Sequence, residues 1–229
     1  MLMTTNAVSL AERLERVRTG IADAARVADR DAASITTIVV TKFHPVSLVR
    51  ELADLGVRDI GENRHQEAQG KAADLADLGL TWHFVGQVQG KKARAVRSYT
   101  SVIHSVDREP LVAALSSTES VVDCFVQVNL TDDPQRGGVH PDVLLPLVEA
   151  VLDAPGLRLL GLMAVAPLGE EPRAAFARVR ELSAGVRRLS PDSTALSMGM
   201  SQDYPAAILE GATHLRIGTA ITGNRPVPS

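Results

Sequence analysis

"TTIVVTKFHPVSLVRELADLGVRDIGEN" spans residues 36–63 and holds a complete alternation of periods. A short β-branched run, Ile38-Val39-Val40, reads as a strand buried on both faces. A helical pattern follows, opened by Pro45 and closed by Gly56, and a second strand reads over 57–63. Two parallel strands joined by a crossover helix are the unit of α/β folds. The same alternation continues outward. Strand-like runs occur at 81–87, 101–107, 121–130, 157–167, 194–201 and 213–223, with helical patterns at 64–75, 141–153, 173–189 and up to Glu210. Pro146 is expected to kink the helix that contains it. An amphipathic helix precedes the first strand, announced by the capping box Ser9-x-x-Glu12 and carrying Leu10, Leu14, Val17, Ile21 and Ala25 at helical spacing.

Eight strands alternating with helices in 229 residues predict a single (β/α)8 TIM barrel over 1–229. The extra amino-terminal helix is expected to cap its bottom, and residues 224–229 to form a loose tail. A doubly wound open sheet is the rival, but no strand ends in GxGxxG.

Composition narrows the function. Apolar residues make up 45% and charged residues 22%, and the net charge of −3 gives no case for nucleic acid. Cys124 is the only cysteine, which excludes an internal disulfide and a cysteine-cluster metal site. It sits in an apolar run and reads as packing. The amino terminus lacks the pattern of a signal peptide, and no apolar stretch approaches a membrane span. A cytoplasmic monomer is expected, since no exposed apolar helix face demands a partner.

Barrel chemistry sits at the carboxyl ends of the strands. Those ends offer Lys42, Glu62-Asn63, His83 with Gln87, His104 with Asp107, Asn129, Met163, Ser197 to Ser201, and Arg216 to Thr219. Barrels often hold a phosphate between the loops after strands seven and eight. Here these loops are "SMGMS" and "RIGTAITG". Gly199 and Gly218 let backbone N–H groups approach a ligand, Ser201 and Thr219 add hydroxyl donors, and Arg216 adds a fixed positive charge. Ser-Gly and Gly-Thr also serve as plain turn chemistry, and Lys42 alone could snorkel to water. Together, a phosphate site, a first-strand lysine and a last-strand arginine suit pyridoxal 5′-phosphate, whose aldehyde forms a Schiff base with a lysine amine. A partly desolvated strand end suits a neutral amine better than an ammonium.

The segments "VVTKFHP", "DIGENRHQEAQGK", "TWHFVGQVQGKK", "VIHSVDRE", "GLMAVAP" and "LSMGMSQDYPAAILEGATHLRIGTAITG" resemble the pyridoxal-phosphate homeostasis proteins over essentially the whole chain. The resemblance implies a barrel similar to the cofactor domain of alanine racemase, the type III fold of pyridoxal-phosphate proteins. It implies a Schiff-base Lys42, phosphate contacts from Ser201, Gly218 and Thr219, Arg216 at the ring nitrogen and Asn63 near the ring. His83 belongs to a family motif, and a packed, hydrogen-bonded role is expected for it. Lys91 replaces a family asparagine, and Lys91-Lys92 read as a solvated helix start, with a second anion site as the alternative.

Racemisation needs a second acid–base group. Racemases of similar fold draw it from another domain and the dimer partner, and no second domain is expected here. Tyr99 and Tyr204 are the only tyrosines, and Tyr204 reads as helix-start packing. The expectation is therefore a non-catalytic protein, without a metal, that holds the cofactor for homeostasis and delivers it to apoenzymes. A weak pyridoxal-phosphate-dependent racemase or lyase is the alternative, and a sugar-phosphate-binding barrel is a third reading.

Overall fold

The computed structural model describes residues 8–225. Eight parallel strands close into a barrel in sequence order: β1 (Thr36–Val40), β2 (Asp59–Glu62), β3 (Thr81–Phe84), β4 (Val102–Val106), β5 (Val122–Gln127), β6 (Leu157–Met163), β7 (Ala195–Ser197) and β8 (His214–Ile217). Closure is made by β8 against β1, with Thr36 opposite His214 and Val39 opposite Ile217. The helices are α1 (Leu10–Val27), α2 (Val46–Asp54), α3 (His65–Asp74), α4 (Ala93–Arg97), α5 (Glu109–Leu115), α6 (Leu144–Asp153), α7 (Pro172–Leu189), α8 (Tyr204–Leu209) and α9 (Thr219–Thr222). The (β/α)8 expectation holds, and the open-sheet rival falls with the β1–β8 pairing.

The apolar core divides in two. A large layer fills the space between strands and helices, with Ile60, Phe84, Val126, Leu162 and Leu215 on the strand side and Leu52, Leu111, Val148 and Phe176 on the helix side. A small second cluster contains only Val102, Phe125 and Met163 as buried members. Much of the remaining barrel interior is polar.

Three local expectations are corrected. First, α1 does not cap the barrel bottom. It lies on the flank against α8 and α9, where Arg30 donates to Ala212 O (2.7 Å) and Arg18 to Leu55 O beyond α2 (3.1 Å). The capping box is formed as read, with Ser9 N–H donating to Glu12 Oε2 at 2.8 Å. Second, Pro146 kinks nothing. A 3-10 turn (Pro141–Val143) ends at the start of α6, so Pro146 falls in the first turn, where its missing N–H has no intrahelical partner to lose. Third, β8 ends at Ile217, and residues 219–222 form the one-turn helix α9. The tail expected over 224–229 lies, from residue 226 onward, outside the described residues, as do residues 1–7.

Candidate functional site

β1 ends at Val40, two residues before Lys42. Thr41 is fully buried, while Lys42 itself is exposed. The expectation of a desolvated lysine on the strand is thus corrected: the chain buries its neighbour and presents the amine from a turn. Phe43 takes φ = 69°, in the left-handed region that non-glycine residues rarely enter. What holds it there is a buried ionic cluster. Lys71 Nζ donates to Thr41 O (2.8 Å), Glu62 Oε1 (2.6 Å) and Glu67 Oε1 (2.9 Å). Thr41 Oγ1 donates to Glu62 Oε1 (2.6 Å), and Phe43 N–H to Glu67 Oε1 (2.6 Å). Both residues flanking Lys42 are therefore tied to the same anionic brace. Burial pushes the Glu62 carboxyl up, against the opposing pull of its bonds to Lys71 and Thr41. Its second oxygen, Oε2, has no partner.

Beside the end of β1, the β7–α8 and β8–α9 connections meet. Ser201 Oγ accepts from the N–H groups of Gly218 and Ala220, each at 3.3 Å. Thr219 opens α9, so its N–H has no intrahelical partner. Gly199 sits at φ = 92°, and a Cβ there would fall 2.7 Å from Ala207 Cβ; only glycine lets this loop pack so closely on α8. On the β2–β3 side, Gly86 lets the chain close over Asn63, since a Cβ would stand 2.3 Å from Asn63 O. Asn63 Oδ1 is buried without a partner.

Arg216 forms the floor. It is 5% exposed and donates to Ser197 Oγ (2.7 Å) and Ala164 O (2.9 Å). Burial pushes its guanidinium down to about 10, with Asp203 acting in the opposite sense, so it remains a cation at neutral pH. All six residues singled out from the sequence, Lys42, Asn63, Ser201, Arg216, Gly218 and Thr219, line one cleft of about 620 Å³ at the carboxyl end of the barrel.

Residues 12–226 match the family described as "Alanine racemase, N-terminal domain". The chain is 43% identical over 224 residues to the pyridoxal phosphate homeostasis protein of Pseudomonas aeruginosa, across 95% of this chain and 96% of that one. The chain belongs to the pyridoxal phosphate homeostasis protein family. A family member from Corynebacterium glutamicum is 39% identical over 210 residues, 87% of this chain and 94% of that one. PipY of Synechococcus elongatus, solved with PLP bound, is 36% identical and superimposes with a TM-score of 0.82 over 94% of this chain and 100% of that one.

His83 is buried and hydrogen-bonded to Asp59 and His104, as expected. Lys91 and Lys92 lie in a 3-10 turn, with Lys92 on a neighbouring cavity that shares Asn63 and Gln87 with the cleft. Burial raises the Cys124 thiol to about 12, which makes it a packing group. Tyr204 does not face the cleft: a Cβ added to Gly20 of α1 would fall 2.1 Å from its hydroxyl. Tyr99 pairs with His65 (3.3 Å). Glu62 is among the strand-end residues, but its pairing with Glu67 and Lys71 in the brace follows from no sequence motif. Glu67 and Lys71 stand at i,i+4, which was the available signal, but Glu62 joins them only in three dimensions. Among the described residues no helix is long and apolar enough to cross a membrane, and no group of three His, Cys, Asp or Glu side chains is placed to hold a metal.

Proposed function

We propose that this protein binds pyridoxal 5′-phosphate reversibly in the carboxyl-end cleft, serves cofactor homeostasis, and hands the cofactor to apoenzymes rather than running a reaction with it. The observation that carries the reading is the convergence on one cleft of the Lys42 amine, the hydroxyl and amide groups of Ser201, Gly218 and Thr219, and the Arg216 guanidinium. The donor set fits the group. A phosphate needs several hydrogen-bond donors, which the two loops supply. The unpartnered Asn63 Oδ1 calls for a donor from whatever occupies the cleft.

When bound, the cofactor supplies an aldehyde carbon that takes a primary amine. Lys42 provides that amine from a braced turn. Arg216 has only N–H donors, so it can hydrogen-bond a ring nitrogen without protonating it, and it keeps the ring a weak electron sink. Racemisation further requires an acid–base group on the far face of a substrate, and neither tyrosine lines the cleft. Both features favour a carrier.

The test is the absorption spectrum of the purified protein with added pyridoxal phosphate, followed by borohydride and peptide mapping. The expected result is a visible band in the parent, a permanent adduct on Lys42 after reduction, and neither in Lys42→Ala. Alanine enantiomers should interconvert at the background rate. An adduct formed equally by Lys42→Ala would overturn the site. Lys42-dependent racemisation would overturn the carrier role.

A further inference from the structure

A continuous line of hydrogen bonds crosses the barrel interior below the cleft. Asp59 Oδ1 meets His83 Nε2 at 3.0 Å, and His83 Nδ1 meets His104 Nε2 at 2.9 Å. His104 Nδ1 meets Ser197 Oγ at 2.8 Å, and Ser197 Oγ meets Arg216 Nη1 at 2.7 Å. β4 and β7 are not neighbours, so the His104–Ser197 bond must span the interior. The line runs from the first residue of β2, at the mouth opposite the cleft, to the floor of the cleft itself. The Asp59 side chain is 32% exposed, whereas His83, His104, Ser197 and Arg216 are all buried.

Its two ends admit a single arrangement in which both imidazoles are neutral and every link is a hydrogen bond. A guanidinium only donates and a carboxylate only accepts. Ser197 Oγ therefore accepts from Arg216 and can pass its own hydrogen to His104 Nδ1. His104 then carries its proton on Nε2 and donates to His83 Nδ1. His83 in turn carries its proton on Nε2 and donates to Asp59. Both imidazoles are neutral in this arrangement; a second proton on His83 would set its Nδ1–H against the Nε2–H of His104 across 2.9 Å, and a second proton on His104 would displace the Ser197 hydrogen from its Nδ1. The other charged groups nearby do not compete for these atoms. His214 of β8 bonds to Thr213 Oγ1, and Asp123 of β5 is held by Arg158 through two bonds. Phe125 stacks on His104 with centroids 4.6 Å apart, shielding the ring.

We propose that Asp59, His83, His104 and Ser197 are positioning residues for Arg216, forming a relay of fixed polarity that holds the guanidinium and delivers the charge of Asp59 to it. The proposal rests on the reading that Arg216 faces the cofactor ring. Charge-assisted chains polarise each link, so the donor that Arg216 offers to the cleft depends on a carboxylate at the opposite mouth.

The first test needs no cofactor. ¹⁵N-detected imidazole spectra of the ligand-free protein at pH 7.5 should show His83 and His104 neutral and protonated at Nε2. A proton on Nδ1 of either ring, or a doubly protonated ring, would overturn the relay. The second test removes charge but keeps the acceptor. Asp59→Asn should weaken pyridoxal phosphate binding by roughly threefold to tenfold and move the visible band of the bound protein. Ser197→Ala should weaken binding by roughly tenfold, with recovery in Ser197→Thr. Unchanged affinity and an unmoved band in Asp59→Asn, with its urea midpoint as in the parent, would overturn the proposal. If the parent forms no Lys42 adduct, the reading of the cleft fails, while the tautomers still decide whether the relay exists.

Discussion

Lys71→Met isolates the brace beneath Lys42. Methionine keeps most of the volume of the lysine stem but removes the ammonium and its three bonds to Thr41 O, Glu62 Oε1 and Glu67 Oε1. Glu62 is 1% exposed at its side chain and would keep only the Thr41 hydroxyl, with Oε2 already unpartnered. Removing one member of a buried pair typically costs about 3–5 kcal/mol, because the other charge is left without compensation. That is a large fraction of the ~5–15 kcal/mol that holds most domains folded. Trp82, the only tryptophan and 6% exposed in β3, reports unfolding by its fluorescence. With a urea slope of about 3 kcal/mol/M, the midpoint should fall by about 1–2 M.

The charge argument also dictates a pH dependence and a rescue. Glu62 has a folded-state affinity for protons raised above its unfolded value, chiefly by burial, and Lys71 is among the groups that hold it down. Such a group contributes stability that is fully present below the unfolded value and is lost as pH rises through the folded one. Without Lys71 the folded value rises further, so the deficit of Lys71→Met should shrink between pH 8 and pH 5. Glu62→Gln added to Lys71→Met should recover about 1–2 kcal/mol, since the amide still accepts from Thr41 without a charge. A midpoint within ~0.3 M of the parent, or a double variant no more stable than the single, would refute the reasoning.

Two further outcomes follow from the barrel interior and its upper rim. His214 is pushed down to about 4 and His104 well below its usual value, both chiefly by burial; their stabilising contribution is present above about 6.5 and is lost as pH falls towards the folded values. Each neutral histidine should cost about 1.4 kcal/mol per pH unit below 6.5, set against the opposite trend of Glu62 alone, so urea midpoints that stay level from pH 7 to 5 would contradict this account. Gly199→Ala forces a Cβ to 2.7 Å from Ala207 Cβ at φ = 92°, and should cost about 2–4 kcal/mol while weakening phosphate-dependent binding; calorimetry showing parental stability would contradict the close packing.

The strand order was legible because each β-branched run is short and bounded by Gly, Pro or a capping pattern, and a run of eight such units closes naturally. The strand ends were not. "IGTAITG" alternates β-branched residues like a strand, yet Gly218 turns the chain into α9, and a one-turn helix leaves no periodic trace. The pattern of α1 shows which face is buried but not what it is buried against. For Lys42, the buried run beside it suggested a desolvated amine. The structure buries Thr41 instead, because β1 has already ended at Val40 and the bonds of Thr41 to Glu62 and Lys71 hold it inward while Lys42 leaves on a turn.

The relay was the least legible feature, and its cost explains why it matters. Asp59, His83, His104, Ser197 and Arg216 come from five different strands, at separations that no local motif can span. TIM barrels ordinarily fill this space with layers of branched apolar side chains. Here Val102, Phe125 and Met163 are the buried members of the second apolar cluster, and four of the five relay residues are buried. Buried polar groups are tolerable only when each finds its partner, and a half-satisfied network is worse than an apolar core. This one is satisfied from end to end in one proton arrangement. A polar chain that ends on the guanidinium beneath the cleft fixes that side chain in place, where an apolar filling would leave the buried cation with Ala164 O but without its Ser197 acceptor. The interior of this barrel is organised around Arg216.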